Sequence, residues 1–373
     1  MKNLTTILLL VGFSFFAFAN DEPVVIKGII KDKETKEFIP FAHVIVGNQV
    51  TISNINGEFA IPIEPSGEKI ELKVSYLGYE TYTKEIKDYY IYHEIFLSPS
   101  TTILDDVTVL SGPGIMNMVF NNFHLNYIME PLHMEGYYRE ALTDTSGYCY
   151  VTEGIMDIYT PSNVDKYGIP WVHPQRSRKK IYKPVPEEDF LAGNASDMAH
   201  YSIWRFDSFL HEKHRDNYEF FYDGTTNIGI HNVFMVDFEP KNRRGNTRGR
   251  LYIDNITYAI MKIVYSPNTE KSKFWDRTSW TEEYELIDGS FQLVSASYEG
   301  LAQNGTKHYD AVLVVNDCEV KYDLPRVKLI GNDVAFFDEA DNNTPSVTFW
   351  QGFNAIKLND RVATQIKSQD YGF

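Results

Sequence analysis

Cysteine is scarce in this chain, which has two among 373 residues. Cys149 and Cys318 either pair in an oxidising compartment or remain two separate thiols, since spacing along a sequence does not give the distance between Cα atoms that a disulfide requires. Two cysteines cannot form a structural zinc site by themselves. A scaffold held together by many disulfides is therefore excluded. A chain of this length is long enough for two or three domains with sizeable cores.

Long apolar runs are lacking beyond the first twenty residues. No later segment has eighteen uninterrupted apolar residues, so we expect no transmembrane span in the mature chain. The N-terminus combines Lys2, an apolar run over Ile7–Phe18 and an A-x-A pattern ending at Ala19, which indicates a secretory signal peptide cleaved after Ala19. A transmembrane anchor is the alternative, but the apolar run is short for a membrane span. A lipoprotein anchor is disfavoured because there is no cysteine near the cleavage point. We expect an exported protein, periplasmic or associated with the outer membrane.

Positive charge is also in deficit. The chain has 35 Lys and Arg against 51 Asp and Glu, giving a formal net charge of −16, which argues against a nucleic-acid partner. One loop rich in Gly and Asn is basic although the chain as a whole is acidic. Its basic residues are Lys241, Arg243, Arg244, Arg248 and Arg250. The loop is either a solvated hairpin tip or a contact for an anionic surface such as lipid headgroups.

Motifs for catalysis are missing. The sequence has no G-x-S-x-G elbow, no G-x-G-x-x-G loop and no HExxH pattern, and none of its ten histidines is followed by Glu at the third position. His211 and His214 lie three apart on a predicted helix without further ligands, which indicates a solvated face. Adjacent acids such as Glu282 and Glu283 would point to opposite faces of a strand. We therefore predict no enzyme, no catalytic residue, no metal ligand and no cofactor.

Short alternating strands separated by turn residues are present from Gly28 to Ile86, which predicts a β-sandwich. Asn56-Gly57 stands between two alternating runs and predicts a tight hairpin with positive φ at the glycine. A last strand is predicted within 104–110, before a Gly/Pro linker. Tyr76 and Tyr79 are expected to cover the end of the small core.

The order of the turn residues in this region is specific. The segments are Gly28-x-Ile30-x-Asp32, Ile39–Val44, Ser53–Phe59 and Val74–Glu80. This series resembles the carboxypeptidase-like regulatory domain, a prealbumin-like β-sandwich found at the N-terminus of TonB-dependent receptors and in other envelope proteins. The resemblance implies a fold and a cell-envelope location. It implies no peptidase activity, because in that family the sandwich accompanies activity and does not perform it.

The remaining sequence predicts strands with a few helices. Helical spacing predicts one helix over Ile115–Met129 and another over Glu187–His214, broken near Gly193, while Trp350–Ser368 is expected to end as a short helix. A hairpin is predicted around Asp144–Gly147 and an irregular loop over Tyr167–Pro186. Strands from Asn217 to Tyr322 should form one curved antiparallel sheet with the helices on its concave side.

Three segments of this second region also resemble known proteins. Phe234–Phe238, Gly249–Asp254 and Thr257–Ile260 are similar to the region that follows the sandwich in uncharacterised envelope proteins, and to the half-barrels of periplasmic lipoprotein carriers and sorting factors. The expected fold class is mainly β: a seven-stranded-type sandwich, then a curved, half-barrel-like antiparallel sheet with two or three packed helices. The expected division is a signal peptide at 1–19, a sandwich at 22–110, a linker and helix at 111–132 and a β domain at 133–373.

Three functions remain open from the sequence. The first is a non-enzymatic binding or assembly protein of the envelope, whose partner is an outer-membrane or periplasmic protein or a lipid. The second is a periplasmic carrier of a lipid or a lipoprotein-like apolar ligand. The third is a hydrolase of envelope polymers with unidentified residues. The expected lining of an apolar site is Phe206, Leu210, Leu251 and Ile253. The interior of the second domain should discriminate between these functions, because a carrier requires a cavity there.

Overall fold

The computed structural model describes residues 24–340 except 48, 55, 64–68, 88, 90, 101–110, 162–167, 187–189, 201, 204 and 206–207. The predicted signal peptide, the predicted strand within 104–110 and the predicted C-terminal helix lie outside the described residues. Across the described ranges, no helix is long and apolar enough to cross a membrane.

The N-terminal region is a sandwich of seven strands. They are β1 (Val24–Asp32), β2 (His43–Val46), β3 (Gln49–Ile52), β4 (Glu58–Ile63), β5 (Ile70–Ser75), β6 (Tyr82–Ile86) and β7 (His93–Leu97). One sheet has the order β4-β1-β7 and the other β3-β2-β5-β6. Alternating residues such as Ile26, Ile30, Leu72 and Val74 are fully buried between the sheets. The predicted seven-stranded sandwich is confirmed.

The turn glycine Gly57 and the tyrosine Tyr79 of this sandwich have structural roles. Gly57 has φ +72°, as predicted, and a Cβ there would overlap the carbonyl oxygen of Ile30. The hairpin prediction is wrong, because β3 and β4 belong to different sheets and Gly57 lies in the link that crosses between them. Tyr79 donates a 2.6 Å hydrogen bond to Asp32, whose other oxygen accepts two backbone N–H groups in the turn after β1.

The C-terminal region is one ten-stranded antiparallel sheet with short helices. Its elements are α1 (Gly112–Asn126), β8 (Leu132–Asp144), β9 (Gly147–Thr160), β10 (Trp171–Ile181), α2 (Ala195–Ala199), β11 (Tyr218–Ile228), β12 (His231–Pro240), β13 (Thr247–Asp254), β14 (Ile260–Pro267), β15 (Trp275–Ile287), β16 (Ser290–Ala302), β17 (Lys307–Val320) and α3 (Phe336–Glu339). The strand order is β10-β9-β8-β17-β16-β15-β14-β13-β12-β11. The sheet is curved and open, with β10 and β11 at its edges.

Side chains alternate between two faces of this sheet. The inner face carries Tyr138, Leu251, Tyr284 and Leu313, which pack in the main core with residues of α1, α2 and α3. The outer face carries Tyr137, Glu283, Val312 and Val314. Ile52 of the sandwich packs on Tyr137, Val312 and Val314. The sandwich therefore contacts the outer face, and helix α1 packs on the opposite face as predicted.

Two local predictions in this region are wrong. The predicted loop Tyr167–Pro186 contains edge strand β10, where Pro174 lies at a register shift in the pairing with β9. Edge strands tolerate proline and basic residues because one side of their backbone is unpaired.

The predicted helix Glu187–His214 is helical only over Ala195–Ala199 among its described residues, apart from turns. Gly193 packs against Tyr309, and the side chain of Asn194 caps α2, so this segment crosses the inner face as an extended cover with one short helix.

Candidate ligand-binding cleft

An open cleft of about 430 Å³ lies on the inner face of the sheet. Strands β8, β15, β16 and β17 form its floor, and the segments 192–198 and 267–275 form its walls. Its lining residues are Tyr138, Ala192, Gly193, Asn194, Asp197, Met198, Pro267, Asn268, Thr269, Ser272, Trp275, Thr278, Trp280, Tyr298, Tyr309 and Ala311. The volume falls within the usual range for small-molecule sites.

Aromatic rings form a continuous cluster on the floor of this cleft. The ring centroids of Trp280 and Tyr298 lie 4.7 Å apart, and those of Tyr298 and Tyr309 lie 5.8 Å apart. Trp275 extends the cluster, with its centroid 5.8 Å from that of Tyr298. A Cβ at Gly300 would overlap the Trp275 indole, so glycine at this position lets the indole lie against the backbone of β16. The floor of the cleft is therefore lined by packed aromatic rings.

Several polar groups of the cleft walls are already used by the local structure. The Asn194 amide donates to the carbonyl oxygens of Gly331 and Val334 at 2.9 and 2.6 Å. The hydroxyl of Ser272 accepts two backbone N–H groups, and that of Thr269 donates to the carbonyl oxygen of Asp276. These hydrogen bonds fix the wall loops, and they leave the aromatic floor as the main binding surface.

A buried carboxyl group lies behind one end of the cleft. Oε2 of Glu140, on β8, accepts hydrogen bonds from Tyr138 at 2.8 Å, Tyr309 at 2.7 Å and the Gly193 N–H at 2.7 Å. All three donors line the cleft. Oε1 is buried and has no hydrogen-bond partner among the described residues. Burial raises the pKa of Glu140 to about 7, although these hydrogen bonds oppose the increase.

A second buried carboxyl group on the inner face has a similar arrangement. Glu282, on β15, accepts hydrogen bonds from the hydroxyls of Tyr265 at 3.1 Å and Tyr284 at 2.7 Å. Ser202 lies in the segment between β10 and β11 that crosses the inner face, called here the covering segment. It donates its N–H and its hydroxyl to Glu282. Burial raises the pKa of Glu282, with the hydrogen bonds again opposing it. Unlike Glu140, both oxygens of Glu282 have partners, and this residue does not line the cleft.

The outer face of the same strand carries an ionic cluster that joins the two regions. His43 of the sandwich contacts Glu283 at 2.5 Å and Glu285 at 2.8 Å, and Lys262 contacts Glu283 at 2.7 Å. Burial alone would lower the pKa of His43, but the two carboxylates outweigh it and raise the pKa to about 10. Burial also disfavours ionised Glu283, yet His43 and Lys262 together lower its pKa. This cluster borders a crevice of about 60 Å³, which is too small for most ligands.

The predicted apolar lining residues lie elsewhere on the inner face. Leu210, Leu251 and Ile253 are buried in the main core, and none of them lines the cleft. Phe206 lies outside the described residues. The cleft residues Trp280, Tyr298 and Tyr309 were visible in the sequence only as aromatic residues on predicted strands, and Trp275 lay outside the predicted strands. The loops that form the cleft walls follow no strand or helix pattern.

The basic residues of the β12–β13 turn fall into two groups. Arg250 lies on β13 and pairs with Asp237 at 2.6 Å and Asp223 at 2.5 Å. Lys241, Arg243, Arg244 and Arg248 are exposed. Lys241 also lines a groove of about 610 Å³ between α1 and β11. The exposed group at the turn is available for contact with an anionic surface, and Arg250 is held by the sheet.

One set of described side chains has spacing compatible with a metal ion. Donor atoms of His133, Glu135 and Asp157 on the outer face lie within 4.8 Å of one another. The His133 ring contacts Asp157 at 2.9 Å and Glu319 at 3.0 Å, so carboxylates already occupy both of its nitrogens.

The two cysteines are free thiols. Burial raises the pKa of Cys149, and burial raises that of Cys318 to about 12. Both side chains are therefore protonated and weakly reactive near neutral pH.

The region over residues 26–109 matches the family model of the CarboxypepD_reg-like domain. No curated protein matches the chain. Solved structures resemble it at low sequence identity. A DUF1329 family protein from Desulfovibrio piger is 11% identical with a TM-score of 0.31, covering 57% of this chain and 95% of that one.

Two other solved structures resemble the chain to a similar degree. A putative outer membrane lipoprotein-sorting protein domain from Vibrio parahaemolyticus is 10% identical with a TM-score of 0.31, covering 57% of this chain and 94% of that one. A LolA superfamily protein from Nitrosomonas europaea is 13% identical with a TM-score of 0.29, covering 58% and 96%. The chain thus has a CarboxypepD_reg-like domain at residues 26–109, followed by a β domain whose structural neighbours are LolA-like and DUF1329 proteins.

Proposed function

We propose that this protein is a non-enzymatic binding protein of the cell envelope that takes a ligand with an apolar body, such as a lipid acyl chain, into the inner-face cleft. The observation that carries the proposal is the aromatic floor formed by Trp275, Trp280, Tyr298 and Tyr309 in an open cleft of about 430 Å³. Export is supported by the signal-peptide pattern at the N-terminus.

The chemistry of the cleft favours an apolar ligand over a highly polar one. The ring cluster offers apolar surface, and removing such surface from water stabilises a complex by about 25 cal/mol per Å². The polar wall groups Asn194, Thr269 and Ser272 already have intramolecular partners, so a polar ligand would have to compete with the bonds that hold the loops. Binding in the cleft is compatible with an assembly role, because the sandwich occupies the outer face and leaves the inner face to the ligand.

A neutral apolar probe tests the proposal directly. The full-length protein is titrated with N-phenyl-1-naphthylamine while the emission of the probe is followed. We expect saturable binding at one site, and we expect Trp280→Ala to weaken it by about tenfold or more, since loss of one ring contact of about 1.4 kcal/mol has that effect.

The matched control is Trp171→Ala, which removes an exposed indole on edge strand β10, away from the cleft. This variant should bind the probe like the unaltered protein. The proposal fails if the probe does not bind, or if both tryptophan variants bind it with unchanged affinity.

A further inference from the structure

The hydrogen-bond direction at the end of the cleft is fixed by Glu140. A tyrosine hydroxyl has one proton to donate and lone pairs to accept with. The hydroxyls of Tyr138 and Tyr309 both give their proton to Oε2 of Glu140, and the backbone N–H of Gly193 does the same. The two tyrosine hydroxyl protons and the Gly193 N–H are therefore already engaged in hydrogen bonds to Glu140. The two hydroxyl oxygens retain lone pairs that can accept hydrogen bonds.

These hydroxyls meet at the cleft wall. A Cβ added to Gly193, which lines the cleft, would overlap the Tyr309 oxygen and lie 2.9 Å from the Tyr138 oxygen and from Oε2 of Glu140. The covering segment can thus approach the hydroxyls of Tyr138 and Tyr309 because Gly193 has no side chain. Oε1 of Glu140 is buried and has no hydrogen-bond partner among the described residues.

We propose that the cleft selects an apolar ligand whose polar end carries hydroxyl groups, as in an alkyl glycoside or a long-chain alcohol, and discriminates against a carboxylate end. This inference rests on the proposed function. A hydroxyl donates to the acceptors offered by Tyr138 and Tyr309, and a carboxylate, which only accepts, meets lone pairs and the nearby Glu140 carboxyl. Glu140 acts as a positioning residue, because it sets the direction in which both tyrosine hydroxyls donate.

Three ligands with the same chain length separate these cases. Octyl β-glucoside, 1-octanol and octanoate are titrated into the full-length protein at pH 8 by isothermal titration calorimetry. The glucoside and octanoate are kept below their micellar concentrations, and octanol is kept below its solubility limit. We expect the glucoside or the alcohol to bind at least about tenfold more tightly than octanoate, which corresponds to 1.4 kcal/mol. Tighter binding of the glucoside than of octanol would indicate that the polar end of the ligand is a sugar. Tighter binding of octanol would indicate that the polar end is a single hydroxyl group.

Two variants test the role of Glu140. Glu140→Gln removes the carboxylate charge and keeps an amide oxygen that can accept where Oε2 did, so the repulsion of octanoate is lost and the discrimination should fall. The matched control Glu282→Gln makes the same change in a carboxyl–tyrosine cluster that does not line the cleft, and it should leave the discrimination unchanged. Tyr309→Phe removes one acceptor and serves if Glu140→Gln does not fold; it should reduce the affinity for the hydroxyl ligands and leave that for octanoate unchanged.

The failures of the two proposals are distinguishable. Equal affinity for all three ligands, or a discrimination that Glu140→Gln and Tyr309→Phe leave intact, overturns this inference while the proposed function stands. Absence of binding by all three ligands, together with absence of probe binding, overturns the proposed function and this inference with it.

Discussion

Adjacent glutamates on β15 lie in opposite environments. Glu282 points to the inner face, where two tyrosine hydroxyls and Ser202 donate to it and burial raises its pKa. Glu283 points to the outer face, where His43 and Lys262 outweigh the effect of burial and lower its pKa. Successive side chains of a strand point to opposite faces of the sheet. Neutral donors therefore bind the carboxyl of Glu282 on one face, and cations bind that of Glu283 on the other. The inner face thus holds its carboxyl by neutral hydrogen-bond donors, while the outer face contacts the sandwich through ion pairs.

The largest effect should come from breaking the outer cluster. Glu283→Gln leaves buried His43 and Lys262 with a weakened counter-charge, and loss of one partner of a buried ion pair costs about 3–5 kcal/mol. Glu282→Gln disturbs only hydrogen bonds to neutral donors, and it should cost about 1–3 kcal/mol. Urea denaturation of both variants gives the two free energies of unfolding. A larger loss for Glu282→Gln would contradict the assignment of charges to the two faces.

The pH dependence of stability should differ between the two faces. Glu140 has a folded pKa of about 7, above its ordinary 4.5, so its favourable contribution is complete below pH 4.5 and is lost as pH rises towards 7, by up to about 3 kcal/mol. His43 has a folded pKa of about 10, so its contribution is complete below pH 6.5 and is lost between 6.5 and 10.

These two windows are checked by denaturation at successive pH values. Glu140→Gln should reduce the loss between pH 4.5 and 7, to which Glu282 also contributes, and keep the alkaline loss, whereas His43→Gln should reduce the alkaline loss and keep the acid one. The comparison fails if either variant flattens both windows.

A smaller effect is expected at the covering segment of the inner face. Gly193→Ala places a Cβ on the Tyr309 hydroxyl, and the shift that relieves this overlap should cost about 1–3 kcal/mol and weaken probe binding in the cleft. The control Gly114→Ala, in the first turn of α1, meets only the Ser111 side chain at 3.3 Å. Thermal unfolding should show a lower Tm for Gly193→Ala alone. An unchanged Tm would mean that the covering segment is not held against Glu140.

The smallest effect on stability is expected at the β12–β13 turn. Arg243 and Arg244 are exposed, so replacing both by Gln should change the free energy of unfolding by less than about 0.5 kcal/mol. If this turn contacts an anionic surface, the same double variant should bind vesicles containing phosphatidylserine more weakly, by about 1 kcal/mol per residue. Arg250→Gln is the contrasting change, because it breaks ion pairs with Asp237 and Asp223. Equal vesicle binding by the double variant and the unaltered protein would remove the turn as a contact site.

The sequence predicts the elements that follow a regular period and misses those that do not. The sandwich, helix α1 and the hairpin at Asp144–Gly147 follow from alternation, helical spacing and turn residues, and all three are present. Strand β10 was predicted as a loop because Pro174 and its basic neighbours are unfavourable in central strands, and only the order of strands shows that β10 is an edge.

The cleft could be predicted only in part. Aromatic residues on alternating strands indicated an apolar interior, but Trp275 and Tyr309 come together through the pairing of β15, β16 and β17, which joins residues distant in sequence. Glu140 gave no signal, because a single acid on a strand is usually solvated. Its burial depends on the covering segment, where Gly193 reaches it from 53 positions away.

Native mass spectrometry of the full-length protein, purified from its own cell envelope, tests the central claim most directly. The account predicts a non-covalent mass increment of one ligand per chain, lost in Trp280→Ala and retained in Trp171→Ala, and fragmentation of the released ligand should show an apolar chain. A protein that carries no ligand, or an increment that persists unchanged in Trp280→Ala, would contradict ligand binding in the inner-face cleft.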